Sequence, residues 1–326
     1  MSGADYLVLA GDVGGTKTDL GLFSGSENSL PEAVATTSFA SCDVSGMVRK
    51  IREFLEREGG VGRVAGGCFG VAGPVSDGRV KAVNLGLELE EKSLARELGV
   101  ARITLVNDLY ATAYALALSG DEEVEVLQAG EPAIGMSGVL APGTGLGMAL
   151  MQGGDSPRII ASEGGHSDYA PRTPDELALW QWLRPVFGHV SRERLLSGPG
   201  LANIYRWLKG QAPDYGRGES AAIVVEAAQS GEEKAFQAID IFTGIMGAVA
   251  GDLALFGLTA AGIYLAGGMP PRIRPFLRRE VFLAAFRDKG RLAGWLEKIP
   301  VKLVLNPHTA LTGAALIARS GLGTGV

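Results

Sequence analysis

Tyr6-Leu-Val-Leu-Ala-Gly11-Asp12-Val13-Gly14-Gly15-Thr16-Lys17-Thr18-Asp19-Leu-Gly-Leu-Phe23 is the stretch on which the fold turns. Tyr6–Gly11 is an apolar run long enough for a buried strand. A Gly14-Gly15 turn follows, and Asp19–Phe23 resumes an extended pattern. Glycines at a strand end let the backbone aim its N–H groups at an anion. Thr16 and Thr18 would add hydroxyl donors, and Asp12 would orient water on a magnesium ion. The phosphate-loop pattern G-x-x-x-x-G-K-[ST] is missed by one residue, because Thr16 stands where its second glycine belongs. That loop also opens a helix, whereas this turn leads into a strand, so the P-loop is rejected. For the segment alone, a plain glycine hairpin and a phosphate turn account for the residues equally well.

A second turn of the same kind lies at Ala141-Pro142-Gly143-Thr144-Gly145-Leu146-Gly147 and leads into Met148–Met151. The dinucleotide pattern G-x-G-x-x-G fails at Met148. A strand again follows in place of a helix, so the helix-dipole half of that fingerprint is missing. Two strand–turn–strand glycine loops, about 130 residues apart, suit two lobes gripping one polyphosphate.

Around these turns strands and helices alternate. Ala33–Phe39 and Val64–Val71 read as strands, Arg79–Val83 as a short one, and Met47–Glu58 as a helix stopped at Gly59-Gly60. Lys92–Leu98 reads as a helix, Ile103–Val106 as a buried strand and Leu109–Leu118 as an alanine-rich helix. Strands follow at Val139–Ala141, Gly147–Gln152 and Arg158–Ala161, then helices at Asp175–Leu183, from Gly198-Pro199, at Ala221–Ala228 and over Glu232–Phe256. Ile263–Ala266 and Val301–Leu305 are strands, and Ala310–Ala318 is a closing helix. The class is α/β. No linker-like segment separates the parts, which predicts a hinge and not a tether.

Composition narrows the function. The 326 residues carry 30 Lys+Arg against 36 Asp+Glu, a net charge of −6, which argues against nucleic-acid binding. Two cysteines and three histidines make neither a disulfide framework nor a cysteine-rich zinc site, and fit a reducing cytoplasm. The first residues lack the basic segment of a signal peptide. The most membrane-like stretch, Gly244–Gly268, carries Asp252 and several glycines, and reads as buried helix, turn and strand, with no membrane partner. The 48 glycines are about twice the usual share.

Four further groups carry chemistry. Asn107-Asp108 ends a buried strand and opens a helix, so Asp108 is either a helix cap or a general base. Glu163-Gly-Gly-His166 sets a carboxylate and an imidazole within one turn, able to hold adjacent hydroxyls, or simply a polar turn. As a metal site it is weak, because the next histidine, His189, is 23 residues on. Glu193 stands between two arginines and reads alone as a solvated charge. Gly267-Gly268 closes a strand and is either a bare turn or a close approach to a ligand. His308 reads as a surface or capping residue, and Cys42 and Cys68 as spectators.

Asp12-Val-Gly-Gly-Thr16, Asn107-Asp108, Gly143-Thr-Gly-Leu-Gly147, Glu163-Gly-Gly-His166 and Ala266-Gly-Gly268 occur in this order, and together the chain resembles the bacterial glucokinases, nearest the proteobacterial type, of the hexokinase/actin-like superfamily. The resemblance covers nearly the whole chain, including His189–Gly200 and Phe282–Gly290. It implies an α/β fold of two ribonuclease-H-like lobes (the actin-like ATPase/hexokinase fold) with a cleft between them. The small lobe would hold residues 1–110 plus 307–326, and the large lobe 111–306. The implied activity is transfer of the γ-phosphoryl group of ATP to O6 of glucose, with Mg²⁺, and with Asp108 as base. Asn107, Asp108, Glu163, His166 and Glu193 would bind the sugar. Asp12, Gly14, Gly15, Thr16, Gly143, Thr144, Gly145, Gly267 and Gly268 would bind the nucleotide. No protein group would ligate the metal directly, Asp12 reaching it through water. The family also implies a homodimer.

Three departures bear on the sugar. Lys17 replaces the asparagine of the nearest glucokinases, and a lysine there resembles the repressor/kinase (ROK) group. Asn84-Leu-Gly-Leu87 lacks the aromatic that often follows the asparagine there, and Asn306-Pro-His-Thr309-Ala310 lacks the usual glycine after Asn-Pro. The absence of the ROK cysteine-rich zinc motif favours the proteobacterial type. Competing expectations are another hexose (mannose, fructose or an amino sugar) and a sugar-sensing regulator. The regulator is disfavoured because an acidic chain starting six residues before its first strand leaves no room for a DNA-binding module.

Overall fold

The computed structural model describes residues 6–15, 17–25, 30–82, 87–119, 123–131, 133–154, 156–214 and 221–322. It divides into two compact units, Met1–Asp121 with Gly153–Ile159 and His308–Val326, and Glu122–Gln152 with Ile160–Pro307. The division therefore falls after the helix that Asp108 opens, not within it at 110. The first unit also takes Gly153–Ile159, a segment the sequence places in the large lobe.

In the first unit, strands β1 (Tyr6–Val13), β2 (Lys17–Gly25), β3 (Glu32–Ala40) and β4 (Gly66–Val71) precede a small sheet of β5 (Val75–Ser76), β6 (Arg79–Ala82) and β7 (Leu87–Glu90), and β8 is Ile103–Asn107. The main sheet has the order β3-β2-β1-β4-β8. β1 runs antiparallel to β2 and parallel to β4, and β4 parallel to β8. Helices α1 (Val44–Arg57), α2 (Glu91–Leu98) and α3 (Asp108–Ser119) join in chain order. Successive side chains of a strand point to opposite faces. Leu9 accordingly packs with Met47, Ile51 and Phe54 of α1, while Val8 and Ala10 pack with Leu311, Ala314 and Ala315 of the late helix Thr309–Ser320. Both faces of β1 are covered, which is why it reads as an unbroken apolar run.

The second unit repeats this plan. Its strands are β9 (Val124–Gln128), β10 (Ser137–Pro142), β11 (Leu146–Gln152), β12 (Arg158–Ser162), β13 (Gly262–Leu265) and β14 (Val301–Val304), in the order β12-β11-β10-β13-β14-β9. β10 is antiparallel to β11 and parallel to β13, which is parallel to β14. The two glycine turns thus occupy equivalent places, each joining the central strand to its antiparallel neighbour. Helix α7 (Glu233–Gly257) packs on β10 and β13, α5 (Gly198–Leu208) and α6 (Ala221–Gln229) pack on α7, and α4 (Pro174–Phe187) packs on α5; α8 (Met269–Ile273), α9 (Arg279–Arg287) and α10 (Ala293–Leu296) follow, and α11 is the Thr309–Ser320 helix of the first unit.

The apolar stretch from Gly244 resolves into the second half of α7, then β13. By length and composition α7 would cross a membrane, yet two-thirds of its apolar window is buried in the unit. The sequence reading missed β7, β9 and α9. The helix expected at Asp175–Leu183 runs on to Phe187 with Pro185 inside it, and Val83 lies outside the described residues.

Candidate active site

The site is built from turns at strand ends. In the first unit β1 ends at Asp12-Val13, with Asp12 opposite Asp19 of β2 and Gly70 of β4. Gly70 is also the near neighbour of Asp108, whose Cα lies 3.3 Å from where a Cβ on residue 70 would sit. A bare glycine therefore lets the start of α3 come close to β1. Burial pushes the Asp12 carboxyl up to about 7, helped by the negative charges of Asp108 and Asp19 and opposed by Lys17. Lys17 is engaged with Asp19, Nζ to Oδ1 at 2.9 Å.

The Gly14–Lys17 turn closes on itself through the Gly14 N–H to Lys17 O bond of 3.0 Å. Ser41 fastens it from outside, its Oγ donating to Gly14 O at 2.6 Å and lying 3.1 Å from Thr18 Oγ1. Thr18 is buried in that contact, which corrects the expectation that its hydroxyl faces a ligand. Thr16 lies outside the described residues.

At the start of α3 the cap is Asn107, not Asp108. Its Oδ1 accepts the N–H groups of Leu109 and Tyr110 at 3.0 and 3.2 Å, which is the N-cap pattern. Its Nδ2 donates to Gly73 O at 3.2 Å, so both ends of the amide are oriented. Asp108 Oδ1 accepts the N–H of the adjacent Leu109 at 2.8 Å.

In the second unit three sequence candidates converge. Glu163 precedes the 3-10 turn Gly164–His166, and its Oε2 is 3.7 Å from His166 Nε2. The other ring nitrogen, Nδ1, is 3.9 Å from Glu193 Oε1. Two segments hold this geometry: Arg192 N–H donates to Ser167 O at 3.0 Å, and Tyr169 N–H to Val190 O at 3.1 Å. Glu193 is the least exposed of the three, and its Oε2 accepts the N–H of Leu146 at 2.9 Å. It is therefore no solvated charge.

Leu146 belongs to the second glycine turn. Gly143 N–H closes that turn on Gly145 O, and Gly198 N–H donates to Gly143 O, both at 2.8 Å. Gly267 packs behind it with φ +79, where a Cβ would lie 2.7 Å from Pro142 O. The turn, the start of α5 and the Gly267-Gly268 corner are thus one assembly, and Thr144 stands exposed at its tip.

The glycines now separate by cause. Gly11, Gly145, Gly165 and Gly267 lack a side chain because neighbouring protein atoms occupy the place. At Gly15, Gly143 and Gly268 no atom lies within 4 Å of an added Cβ, and none has a left-handed φ. Their bareness answers to no contact within the protein, and suits a ligand lying against the backbone. In each unit the open backbone of these glycines fits a phosphate, and in the first the neighbouring carboxylates of Asp12, Asp19 and Asp108 fit a magnesium ion.

Sequence reasoning missed Ser41 and Ser197. Ser197 caps α5 at Gly200 N–H, 3.1 Å, and donates to Glu193 O at 2.8 Å; its place before Gly-Pro-Gly was the available signal. His308 is exposed and does not cap α11 with its side chain. Leu87 is core. Burial raises the Cys68 thiol above its ordinary range. A recess of about 880 Å³ lined by Arg172, Glu176, Asp240 and Arg287 contains none of the candidate residues.

The chain is similar over nearly its whole length to known proteins. A glucokinase of Synechocystis sp. is 37% identical over 345 aligned positions, covering 95% of this chain and 97% of the relative. A glucokinase of Tolumonas auensis is 35% identical, covering 97% and 98%. A crystal structure of glucokinase from an Antarctic psychrotroph superposes with a TM-score of 0.78 at 28% identity, covering 97% of this chain and 99% of that one. Cyanobacterial and proteobacterial relatives are equally near, so the expected proteobacterial subtype is not distinguished. The sequence model of the glucokinase family matches residues 9–321, and the chain belongs to that family of ATP-dependent sugar kinases with the actin-like ATPase/hexokinase fold.

Proposed function

We propose that this chain phosphorylates glucose at O6, with ATP as donor and Asp108 as general base. The observation that carries the reading is the meeting of Glu163, His166 and Glu193, with Glu193 bonded directly to a glycine turn whose Gly143 backbone is open. Two carboxylates flanking an imidazole offer acceptors and a switchable donor to neighbouring hydroxyls of one sugar ring. What supports glucose as the sugar is that relatives similar over nearly the whole chain carry the name glucokinase.

Magnesium–ATP, when bound, supplies the phosphoryl group and neutralises the charge that develops in its transfer. Asp12 would hold the metal through water, with Gly14, Gly15, Thr16, Gly143, Thr144, Gly145, Gly267 and Gly268 lining the nucleotide. Asn107, held by its cap and by Gly73 O, has a second Nδ2 hydrogen for a sugar hydroxyl. Asp108 accepts the O6 proton as O6 bonds to the γ-phosphorus and the bond to the β-phosphate oxygen breaks.

A coupled ATP-consumption assay over a hexose panel tests this. Turnover is expected with glucose in preference to mannose, fructose and amino sugars. Turnover with fructose but not glucose overturns the substrate, and no turnover with any hexose overturns the activity in favour of a sensor.

A further inference from the structure

We propose that Glu193 couples the two ligand sites of the second unit, so that sugar and nucleotide each set the affinity of the other through one carboxylate. The proposal rests on the assignment, made above, of the Gly143–Gly147 turn to the nucleotide and of Glu163, His166 and Glu193 to the sugar.

The two oxygens of Glu193 face different sites. Oε1 lies toward His166 at 3.9 Å, and Oε2 accepts the Leu146 N–H of the glycine turn at 2.9 Å. A carboxylate is planar and rigid, so a shift of one oxygen moves the other. The carboxylate fills the space beside Gly145, where an added Cβ would lie 2.5 Å from Glu193 Oε2. Glycine at 145 is what allows the carboxylate to sit against the turn.

The backbone around Glu193 is laced to the same turn. Ser197 Oγ donates to Glu193 O and Gly198 N–H donates to Gly143 O, each at 2.8 Å. From the far side Asp252 of α7 holds Arg192 at 3.4 Å and Lys289 at 2.7 Å, and both cations are largely buried there. Residues 192–198 and the turn therefore move together. A ligand that orders one orders the other, and the second ligand meets a site already arranged. Linkage makes the effect reciprocal.

Titration calorimetry with one ligand at a time tests this. Gly145→Ala displaces the carboxylate from the turn, and is expected to weaken glucose binding at least fivefold with no nucleotide present. Glu193→Ala is expected to weaken magnesium–ADP binding at least fivefold with no sugar present. These magnitudes are at the low end of ordinary coupling factors. Each variant's far-UV circular dichroism and Tm are compared with wild type, and if Gly145→Ala does not fold, the Glu193→Ala arm decides. Variants that each change only their own ligand's affinity, with less than a twofold effect on the other, overturn the coupling alone. Wild-type protein that binds magnesium–ADP but no hexose overturns the functional reading and the coupling with it.

Discussion

Asp12 lies near the end of β1, where the charges of Asp108 and Asp19 act on it. Asp12 is raised to about 7 by burial and by its two acidic neighbours. Its folded value thus exceeds its ordinary 3.8, so the protonated form favours folding. That contribution is complete below about pH 4 and is lost as pH rises through about 7. Between pH 5 and 8 the unliganded protein should lose about 2–3 kcal/mol on this account. Asp12→Asn should remove that loss, so its Tm advantage over wild type grows with pH in thermal scans; an advantage independent of pH contradicts the assignment. Asp108→Ala bears on catalysis. The helix keeps its Asn107 cap, so Tm should change by only about one degree, as for about 0.5 kcal/mol or less. Its kcat should fall at least about a hundredfold, the usual worth of a positioned base; retention of more than about a tenth removes Asp108 from the role. The sequence left Asp108 as either helix cap or base, and did not show that Asn107 takes the cap. That depended on Gly73 O, 34 residues away in the chain.

Among the elements, the α3–α11 contact sets how well Asp108 is held. Gly313 lies against the backbone of Ala111, where an added Cβ would overlap the Ala111 carbonyl. Gly313→Ala should therefore push the helices apart and cost about 1–3 kcal/mol, the usual range for overpacking. Denaturant unfolding would measure it; an unchanged midpoint would mean the helices are not in contact there. Strands buried on both faces, such as β1 and β10, were legible as apolar runs, and the turn-then-strand pattern rejected two helix-opening motifs. β9 escaped because Val124-Glu-Val-Leu-Gln128 is a sheet edge with Val126 exposed and its neighbours Val124 and Glu125 only partly buried, so no buried face shows in its pattern. α9 escaped because Arg278-Arg279-Glu280 reads as surface, although Phe282 and Phe286 behind it are fully buried. Ser41 was beyond reach for a different reason: its bond to Gly14 O spans 27 residues, and nothing local to Ser41 announces it.

At the scale of the whole molecule, two units carry one sheet plan, and the first is completed only by a segment that returns from the far side of the chain. α11 covers Val8, Ala10 and Cys68 with Leu311, Ala314 and Ala315. A chain stopped after Pro307 should lose that cover. One buried leucine alone represents about 1.5–3 kcal/mol, against a typical total of about 5–15. The truncated protein should bind a hydrophobic dye and elute as aggregate in size exclusion, and a soluble, cooperatively folding product would refute the dependence. The same return has a consequence during synthesis. Strand β1 leaves the ribosome about 300 residues before the helix that shelters it, and translation at about 5–20 residues per second makes that a wait of roughly 15–60 seconds. Both segments of the second unit, Glu122–Gln152 and Ile160–Pro307, emerge within that interval. The later-emerging unit can therefore finish folding first, while the strand that carries Asp12 remains in need of a chaperone.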